Sequence, residues 1–252
     1  MIGRPPVYRG LPGPLRFVGW LAIAVGGGLA IGLTAPTALM RLGATAALQP
    51  GLLDWYAVRA LGFLGYIVLA ASVVYGLLLS TKILDAIAHR PVSFALHKDL
   101  ALVGLFVLAL HGLLLVGDAS YSFSLRSILV PFASPYAPVT VGVGQLAFYA
   151  MAVVNASFYV RRFLGQRAWR FIHYATFVTF IGGTVHGVLS GSDSGSTWAF
   201  GIYLGALAAT IFLTTYRIVL SAAARRATPS QPLPPALVRG PFDRPGAGAA
   251  HR

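Results

Sequence analysis

The chain contains no cysteine and no glutamate. The lack of Cys excludes disulfides, iron–sulfur clusters and thiol chemistry. All six acidic residues are Asp, which disfavours carboxylate metal cages and glutamate-based acid–base catalysis. Only 10% of the residues carry a formal charge, so any chemistry must rest on other side chains.

Apolar residues dominate the composition. They make up 57% of 252 residues, and the mean hydropathy is +0.75, which is a membrane composition in a single domain. Residues 17–40 form an uncharged run long enough to span a bilayer core of about 30 Å. A signal peptide would have a shorter apolar core. Five further predicted spans follow, at residues 60–81, 91–117, 139–160, 171–192 and 197–216.

The predicted fold is therefore an all-α integral membrane protein, a six-transmembrane-helix bundle covering residues 17–223. Residues 1–16 form a basic N-terminal lead, and residues 224–252, rich in Pro, Gly and Arg, form a disordered basic tail. Residues 118–138 join the third and fourth spans as an interfacial loop, with an amphipathic turn expected near residues 125–130.

The placement of the basic residues predicts the orientation. Of the 19 Lys and Arg residues, 16 lie in the lead, in the links after the second and fourth spans, and in the C-terminal segment. The opposite side holds Arg41, Arg59 and Arg126. The positive-inside rule then puts both termini in the cytoplasm, with the inner membrane of a bacterium as the expected location. The same distribution explains the net charge of +13 without a nucleic-acid partner.

Four histidines lie in two of the predicted spans. Pro91 can begin the third span and Ser93 can cap it, and the span carries His97 and His111. The fifth span carries His173 and His186, and no carboxylate is expected in the middle of a span. A polar ring in hydrocarbon is costly unless something binds it, which makes these histidines candidate ligands. His89 and His251 lie outside the spans and are expected at the solvated surface.

The spacing of the two pairs is nearly the same. Offsets of 14 and 13 residues correspond to roughly 21 and 19 Å of helix. Facing helices would give two His–His levels, which suit bis-imidazole ligation of haem iron better than a four-ligand zinc site. Thirteen residues do not return to the same helix face. Either Gly182-Gly183 bends the helix, or the two levels use different sides of it.

His97 and His111 on the third span, with His173 and His186 on the fifth, resemble the ferric reductase-like transmembrane domain over about residues 55–220. That family includes the membrane parts of ferric reductases and NADPH oxidases, and the haem-binding membrane subunit of the bacterial methionine sulfoxide reductase system. The resemblance implies two haems b that carry electrons across the membrane. His97 and His173 would ligate the inner haem and His111 and His186 the outer one, with no separate catalytic residue.

The resemblance is incomplete at the C-terminal end. Ferric reductases and NADPH oxidases continue into a cytoplasmic FAD and nicotinamide domain, whereas about 35 residues follow Tyr216 here, with no strand-linked G-x-G-x-x-G. The expected electron donor is therefore a separate flavoprotein carrying FMN or FAD, or a quinol. A ferric chelate, oxygen, a quinone or a periplasmic protein would accept electrons outside. Whether the chain is an enzyme or an electron-transfer subunit stays open.

The haem propionates should meet basic groups at the two interfaces. The candidates are Arg90, Lys98 and Arg170 for the inner haem and Arg59 and Arg126 for the outer haem.

Three other functions fit parts of the pattern. A quinol-oxidising cytochrome b anchor subunit also pairs histidines on two helices, although the Pro-Glu-Trp-Tyr motif of bc-type cytochromes is excluded by the lack of Glu. A histidine-lined proton or metal transporter would also place His in the membrane, more often together with buried carboxylates. The last alternative is a non-catalytic membrane scaffold.

Overall fold

A computed structural model describes residues 52–86, 88–117 and 121–227, and these residues are helical with no β-strand. Its α-helices are α1 (Leu52–Ser80), α2 (Arg90–Leu114), α3 (Leu125–Leu129), α4 (Pro138–Ser190) and α5 (Thr197–Ala227). Short 3-10 helices, Ile83–Ala86 and Leu115–Gly117, follow α1 and α2.

Four of these helices, all except α3, are long and apolar enough to cross a membrane. The all-α membrane class is thereby confirmed. The predicted first span at residues 17–40, the lead at residues 1–16 and the tail from residue 228 lie outside the described residues. The count of six spans and the cytoplasmic side of the termini therefore stay predictions.

Helix α4 is too long to be one membrane span. Its 53 residues would extend about 80 Å, well beyond a hydrocarbon core of about 30 Å. Gly165 interrupts it with φ 75° and ψ 158°, a conformation that favours glycine because a Cβ would be strained there. The break separates an N-terminal arm, residues 138–164, from a C-terminal arm, residues 166–190. Each arm is long enough for one of the two spans predicted in this region.

The two arms of α4 fold back on one another. The Thr140 hydroxyl lies 2.5 Å from the Ser190 hydroxyl, and the Tyr136 hydroxyl donates to the Ser190 carbonyl at 3.2 Å. Further along the arms, a Cβ on Gly182 would lie 2.9 Å from the Ala147 Cβ. The arms are therefore an antiparallel hairpin, with small residues that permit close backbone approach.

Helix α1 lies at the centre of the described bundle, because it packs against α2, α4 and α5. Its Tyr66, Leu69 and Val73 share the buried core with Phe180 of α4 and Tyr203 of α5. Small residues on α1 also bring α2 close, as a Cβ on Gly65 would lie 2.5 Å from Leu108. α1 begins eight residues before the predicted start at residue 60, so it extends past the N-terminal end of the apolar run.

The start of α2 corrects one detail of the sequence reading. Pro91 lies in the first turn as expected, but the N-cap residue is His89, and no side chain caps the helix. Ser93 lies inside the helix and is buried. Proline has no backbone N–H and is tolerated in the first turn, where that group would have no helical partner. The helix begins at Arg90, three residues before Ser93, so the expected Ser93 cap is wrong.

The amphipathic turn expected near residues 125–130 is helix α3. Ser124 and Ser127 cap it reciprocally, with the Ser124 hydroxyl accepting from the Ser127 N–H at 3.2 Å. The Gln145 side chain donates to the Ser127 and Ile128 carbonyls at 2.8 and 2.6 Å, which ties α3 to α4. This short helix therefore covers the end of the bundle where α2 finishes and α4 begins.

Large apolar side chains point outward along the long helices. Val139, Phe171 and Phe212 are 67%, 80% and 67% exposed. A water-soluble monomer rarely exposes so much contiguous apolar surface, whereas a bilayer stabilises it. This surface is suited to membrane lipid.

Candidate metal and cofactor site

Helix α2 and the C-terminal arm of α4 bring the four span histidines into two pairs. The ring centres of His97 and His173 lie 6.2 Å apart, and those of His111 and His186 lie 6.4 Å apart. The planes of the two rings are steeply tilted in each pair, by 79° and 67°. The structure therefore brings together the histidines that their spacing placed at matching levels.

These separations fit one metal ion between the rings of each pair. Metal–imidazole bonds of about 2.0 Å, with each ring centre about 1.2 Å behind its nitrogen, place the centres roughly 6.4 Å apart. The observed distances of 6.2 and 6.4 Å need almost no movement of the rings. Direct hydrogen bonding within a pair would bring the ring centres closer than this.

The rings of the outer pair are oriented by backbone carbonyls on neighbouring helices. His111 Nδ1 lies 2.9 Å from the Val58 carbonyl, and His186 Nδ1 lies 3.0 Å from the Thr140 carbonyl. A carbonyl oxygen can only accept, so Nδ1 carries the proton in both rings. Nε2 is then the nitrogen with the free lone pair, which is the arrangement typical of a metal-bound histidine.

Glycines on the neighbouring helices make room for three of the four rings. An added Cβ would lie 2.8 Å from His111 at Gly62, 2.9 Å from His97 at Gly76 and 2.6 Å from His186 at Gly144. Gly62 and Gly144 each follow the accepting carbonyl by four residues, since those carbonyls belong to Val58 and Thr140. Each of these three rings therefore lies close against a helix turn at a position that has no side chain.

The outer pair lines a cavity of about 390 Å³ inside the bundle. Aromatic residues form much of its wall, and α3 covers it through Ile128. Arg59 lines the cavity too, and its guanidinium pairs with Asp193, with Arg59 Nε donating to the carboxylate at 3.0 Å. This size and lining are typical of cofactor sites, which range over about 300–1,000 Å³.

The surroundings of the inner pair differ from those of the outer pair. The Trp169 ring stacks on His173, with centres 5.2 Å apart and planes 23° apart. Arg217 of α5 acts electrostatically on His173. The Ser72 carbonyl is close enough to act on His97, but that contact lacks hydrogen-bond geometry.

Several buried polar atoms without a hydrogen-bond partner lie in the segments around the inner pair. Within the part of the chain that the structure describes, they include Ser93 Oγ, His97 Nδ1, Trp169 Nε1 and Thr214 Oγ1. Buried polar groups are nearly always paired in proteins, so each of these needs a partner. A bound group with acceptor oxygens would satisfy such donors.

The basic residues proposed for the haem propionates differ in exposure, in ion pairing and in whether they line the outer cavity. Arg59 lines the outer cavity, whereas Arg126 is exposed and does not line it. At the inner side, Arg90 pairs with Asp85 at 3.7 Å, and Arg170 is exposed.

Lys98 and Arg217 are the other two basic residues near the inner pair. Lys98 is half-buried. Arg217, which the sequence reading did not select, lies close enough to His173 for an electrostatic interaction. Its place directly after the sixth predicted span, on the side predicted to hold His173, was the available signal.

The spacing problem of the second pair is resolved without a break in the helix. Gly182 and Gly183 keep helical dihedral angles, since Gly165 is the residue of α4 with non-helical values. His186 reaches the N-terminal arm at Thr140, whereas His173 lies near Arg217 of α5. The two rings therefore leave the C-terminal arm on different sides, which is the second of the two alternatives.

Asp99 requires a correction. The sequence reading placed no carboxylate in the middle of a span, but α2 begins at Arg90, so Asp99 lies well inside the helix and is 7% exposed. It follows His97 by two residues, which points the two side chains to different helix faces. The exposed position of His89 agrees with the surface role expected for it.

The described residues contain no group of three or more His, Cys, Asp or Glu residues that could hold a metal ion. No protein-family model, no curated protein and no solved structure matches this chain. The functional argument therefore rests on the geometry of the two histidine pairs.

Proposed function

We propose that this chain is a di-haem b transmembrane electron-transfer protein, as its resemblance to the ferric reductase-like domain implies. The observation that carries the proposal is the pair of ring separations, 6.2 and 6.4 Å, on the same two helices. Two haem sites of this form, one nearer each end of the bundle, would suit electron transfer from one side of a membrane to the other. The inner membrane of a bacterium is the proposed location.

The choice of haem over a bare metal ion follows from the ligand count. Each level supplies two imidazoles, and the described residues add no third ligand. Zinc and similar ions take four or more ligands, mostly from the protein. A porphyrin supplies four ligands of its own and needs only the two axial positions filled, which is what each pair offers.

The chain's own residues would hold and tune these groups. Haem b iron accepts and releases one electron at a time, which is the chemistry it would supply here. Val58 and Thr140 hold the outer rings with Nε2 free, and their hydrogen bonds make the imidazoles more electron-rich. Arg59 at the outer level and Arg217 at the inner level are the basic residues for the propionates.

The partners at the two faces are part of the proposal. The donor would be a separate flavoprotein or a quinol on the inner side. An acceptor outside, such as a ferric chelate, oxygen, a quinone or a periplasmic protein, would receive electrons from the level of His111 and His186. The aromatic wall of the outer cavity and the cover provided by α3 would limit the access of water to that level.

One observation favours a second candidate, a proton transporter. Asp99 is buried in a membrane-length helix two residues after His97, and buried carboxylates with histidines are typical of proton pathways. The outer pair argues for the first candidate, because Nδ1 of both rings donates to a backbone carbonyl, which leaves Nε2 of each ring free to bind a metal.

An optical difference spectrum of the purified chain separates the candidates. A di-haem protein would show the sharp reduced bands of bis-histidine haem b after dithionite, with two haems per chain by pyridine haemochrome. A transporter or a scaffold would be colourless. A colourless protein that stays colourless after addition of haem would refute the proposal.

A further inference from the structure

A groove of about 700 Å³ runs between the C-terminal arm of α4 and the last turns of α5. From α5 it is lined by Thr214, Arg217 and Ile218, by Ser221 and Ala222 one turn on, and by Arg225 and Arg226 two turns on. The spacing of three and four residues places all of them on one helix face. Tyr174 and Phe177, one turn apart on α4, form the opposite wall.

The charge in this groove is all of one sign. Three arginines line it, and no described Asp does. The described arginines that form ion pairs are Arg59 and Arg90, both elsewhere. Thr214 Oγ1 adds a buried hydroxyl without a hydrogen-bond partner at the deep end. Such a cluster is suited to an anion with several acceptor oxygens, since guanidinium groups bind phosphate in bidentate fashion.

The rest of the groove is apolar and faces outward. Tyr174 is 51% exposed and Ile218 is 62% exposed, on helices that are membrane spans by length and composition. The positive-inside rule predicts that this end of α5 lies at the cytoplasmic face, where anionic lipids are concentrated. An occupant with a phosphate at one end and a hydrocarbon chain at the other would match both parts.

We propose that the groove between α4 and α5 binds an anionic phospholipid, with Arg225 and Arg226 contacting the headgroup phosphate and Tyr174, Phe177 and Ile218 contacting the acyl chain. Arg217, proposed above for the inner haem, lies at the deep end of the groove beside His173 and is not assigned to the headgroup. This inference does not depend on haem binding, since the proposed headgroup contacts are Arg225 and Arg226.

The test uses the full chain in lipid nanodiscs. Retention of phosphatidylglycerol and of phosphatidylcholine is measured by native mass spectrometry after mild delipidation. We expect phosphatidylglycerol to be retained preferentially, and the double variant Arg225→Gln/Arg226→Gln to weaken this retention about 10- to 30-fold. Circular dichroism and melting temperature report whether the variant is folded.

The matched control is Arg161→Gln/Arg162→Gln. These arginines are also adjacent and exposed, on the same predicted side, but they stack on Phe158 and Phe163 outside the groove. The control should retain phosphatidylglycerol as the unmodified chain does. Equal losses in both double variants would mean general attraction to an anionic leaflet and would overturn the site.

A further arm distinguishes the source of the phosphate. Inorganic phosphate and glycerol 3-phosphate, at millimolar concentration, should not displace bound phosphatidylglycerol, because they lack the acyl chain that contacts Ile218 and Phe177. If either one displaces the lipid completely, or binds as tightly by itself, the groove is a site for a free phosphate and the lipid assignment is wrong.

Discussion

The glycines against the histidine rings allow a sharp test of the proposed outer site. Gly144 is the tightest of these positions, since an alanine Cβ would lie 2.6 Å from His186 Cγ and 2.8 Å from Nδ1. Ordinary contact begins at 3.4 Å, so the ring must retreat by about 0.8 Å in Gly144→Ala. The same retreat stretches the 3.0 Å hydrogen bond from His186 Nδ1 to the Thr140 carbonyl.

The expected cost follows from this clash. Overpacking a buried contact by one methyl group costs about 1–3 kcal/mol, which corresponds to roughly 5- to 150-fold weaker binding of a group held by His186. The helix itself gains from alanine, so the loss should appear at the site and not in helix content. Haem per chain should fall from two toward one, with the remaining haem keeping its midpoint potential.

The control for this prediction is Gly205→Ala on α5. Gly205 is a helical glycine with the same gain in helix propensity, but a Cβ there meets nothing within 4 Å. Haem content is measured by pyridine haemochrome, and affinity by titration of the haem-free chain. If Gly144→Ala binds two haems as tightly as Gly205→Ala does, the ring of His186 is not held in the way the structure indicates, and the argument for an oriented ligand fails.

Four further outcomes are expected. His111→Ala should lose the outer haem and keep the inner one, and His97→Ala should do the converse; retention of two haems by both variants would contradict the pairing. Asp193→Asn should lower stability by about 1 kcal/mol through its partly buried pair with Arg59, and a double-mutant cycle in thermal unfolding should show the coupling. A reporter fused after Arg252 that works only in the periplasm should stay silent, and activity would reverse the orientation. NADPH added anaerobically to the haem-loaded chain should leave it oxidised until a flavin reductase or a quinol is supplied, because a hydride donor needs a flavin before a one-electron acceptor; rapid reduction by NADPH alone would reveal a nucleotide site.

Several features of the structure were predictable because each depends on one segment alone. An apolar run of some twenty residues favours a membrane helix whatever its neighbours are, so the membrane class could be read directly. Four of the predicted spans, beginning at residues 91, 139, 171 and 197, start within about five residues of a helix or arm boundary. The predicted link at residues 161–170 is helical on both sides of the break at Gly165. The levels of the histidines followed from the fixed rise of a helix.

Features that depend on where two helices touch were not predictable in this way. The sequence reading could not choose between a bend at Gly182-Gly183 and two helix sides, since the choice depends on the positions of α5 and the N-terminal arm. It missed Arg217 and the burial of Asp99 for the same reason. The role of Gly62 and Gly144 also escaped it, because a glycine shows no partner until a neighbouring helix brings one.

The sequence by itself determined that this chain is helical and apolar enough to span a membrane, with matched pairs of histidines on two predicted spans, because hydrophobic length and residue spacing are local properties. The tertiary structure decided which ring nitrogen of His111 and of His186 is hydrogen-bonded and which keeps a free lone pair. Val58 orients His111 across 53 positions of sequence, and Arg59 meets Asp193 across 134. Such contacts form only when α1, α2, α4 and α5 pack together, and helix packing in lipid depends on small residues and polar contacts whose partners lie far away in the chain.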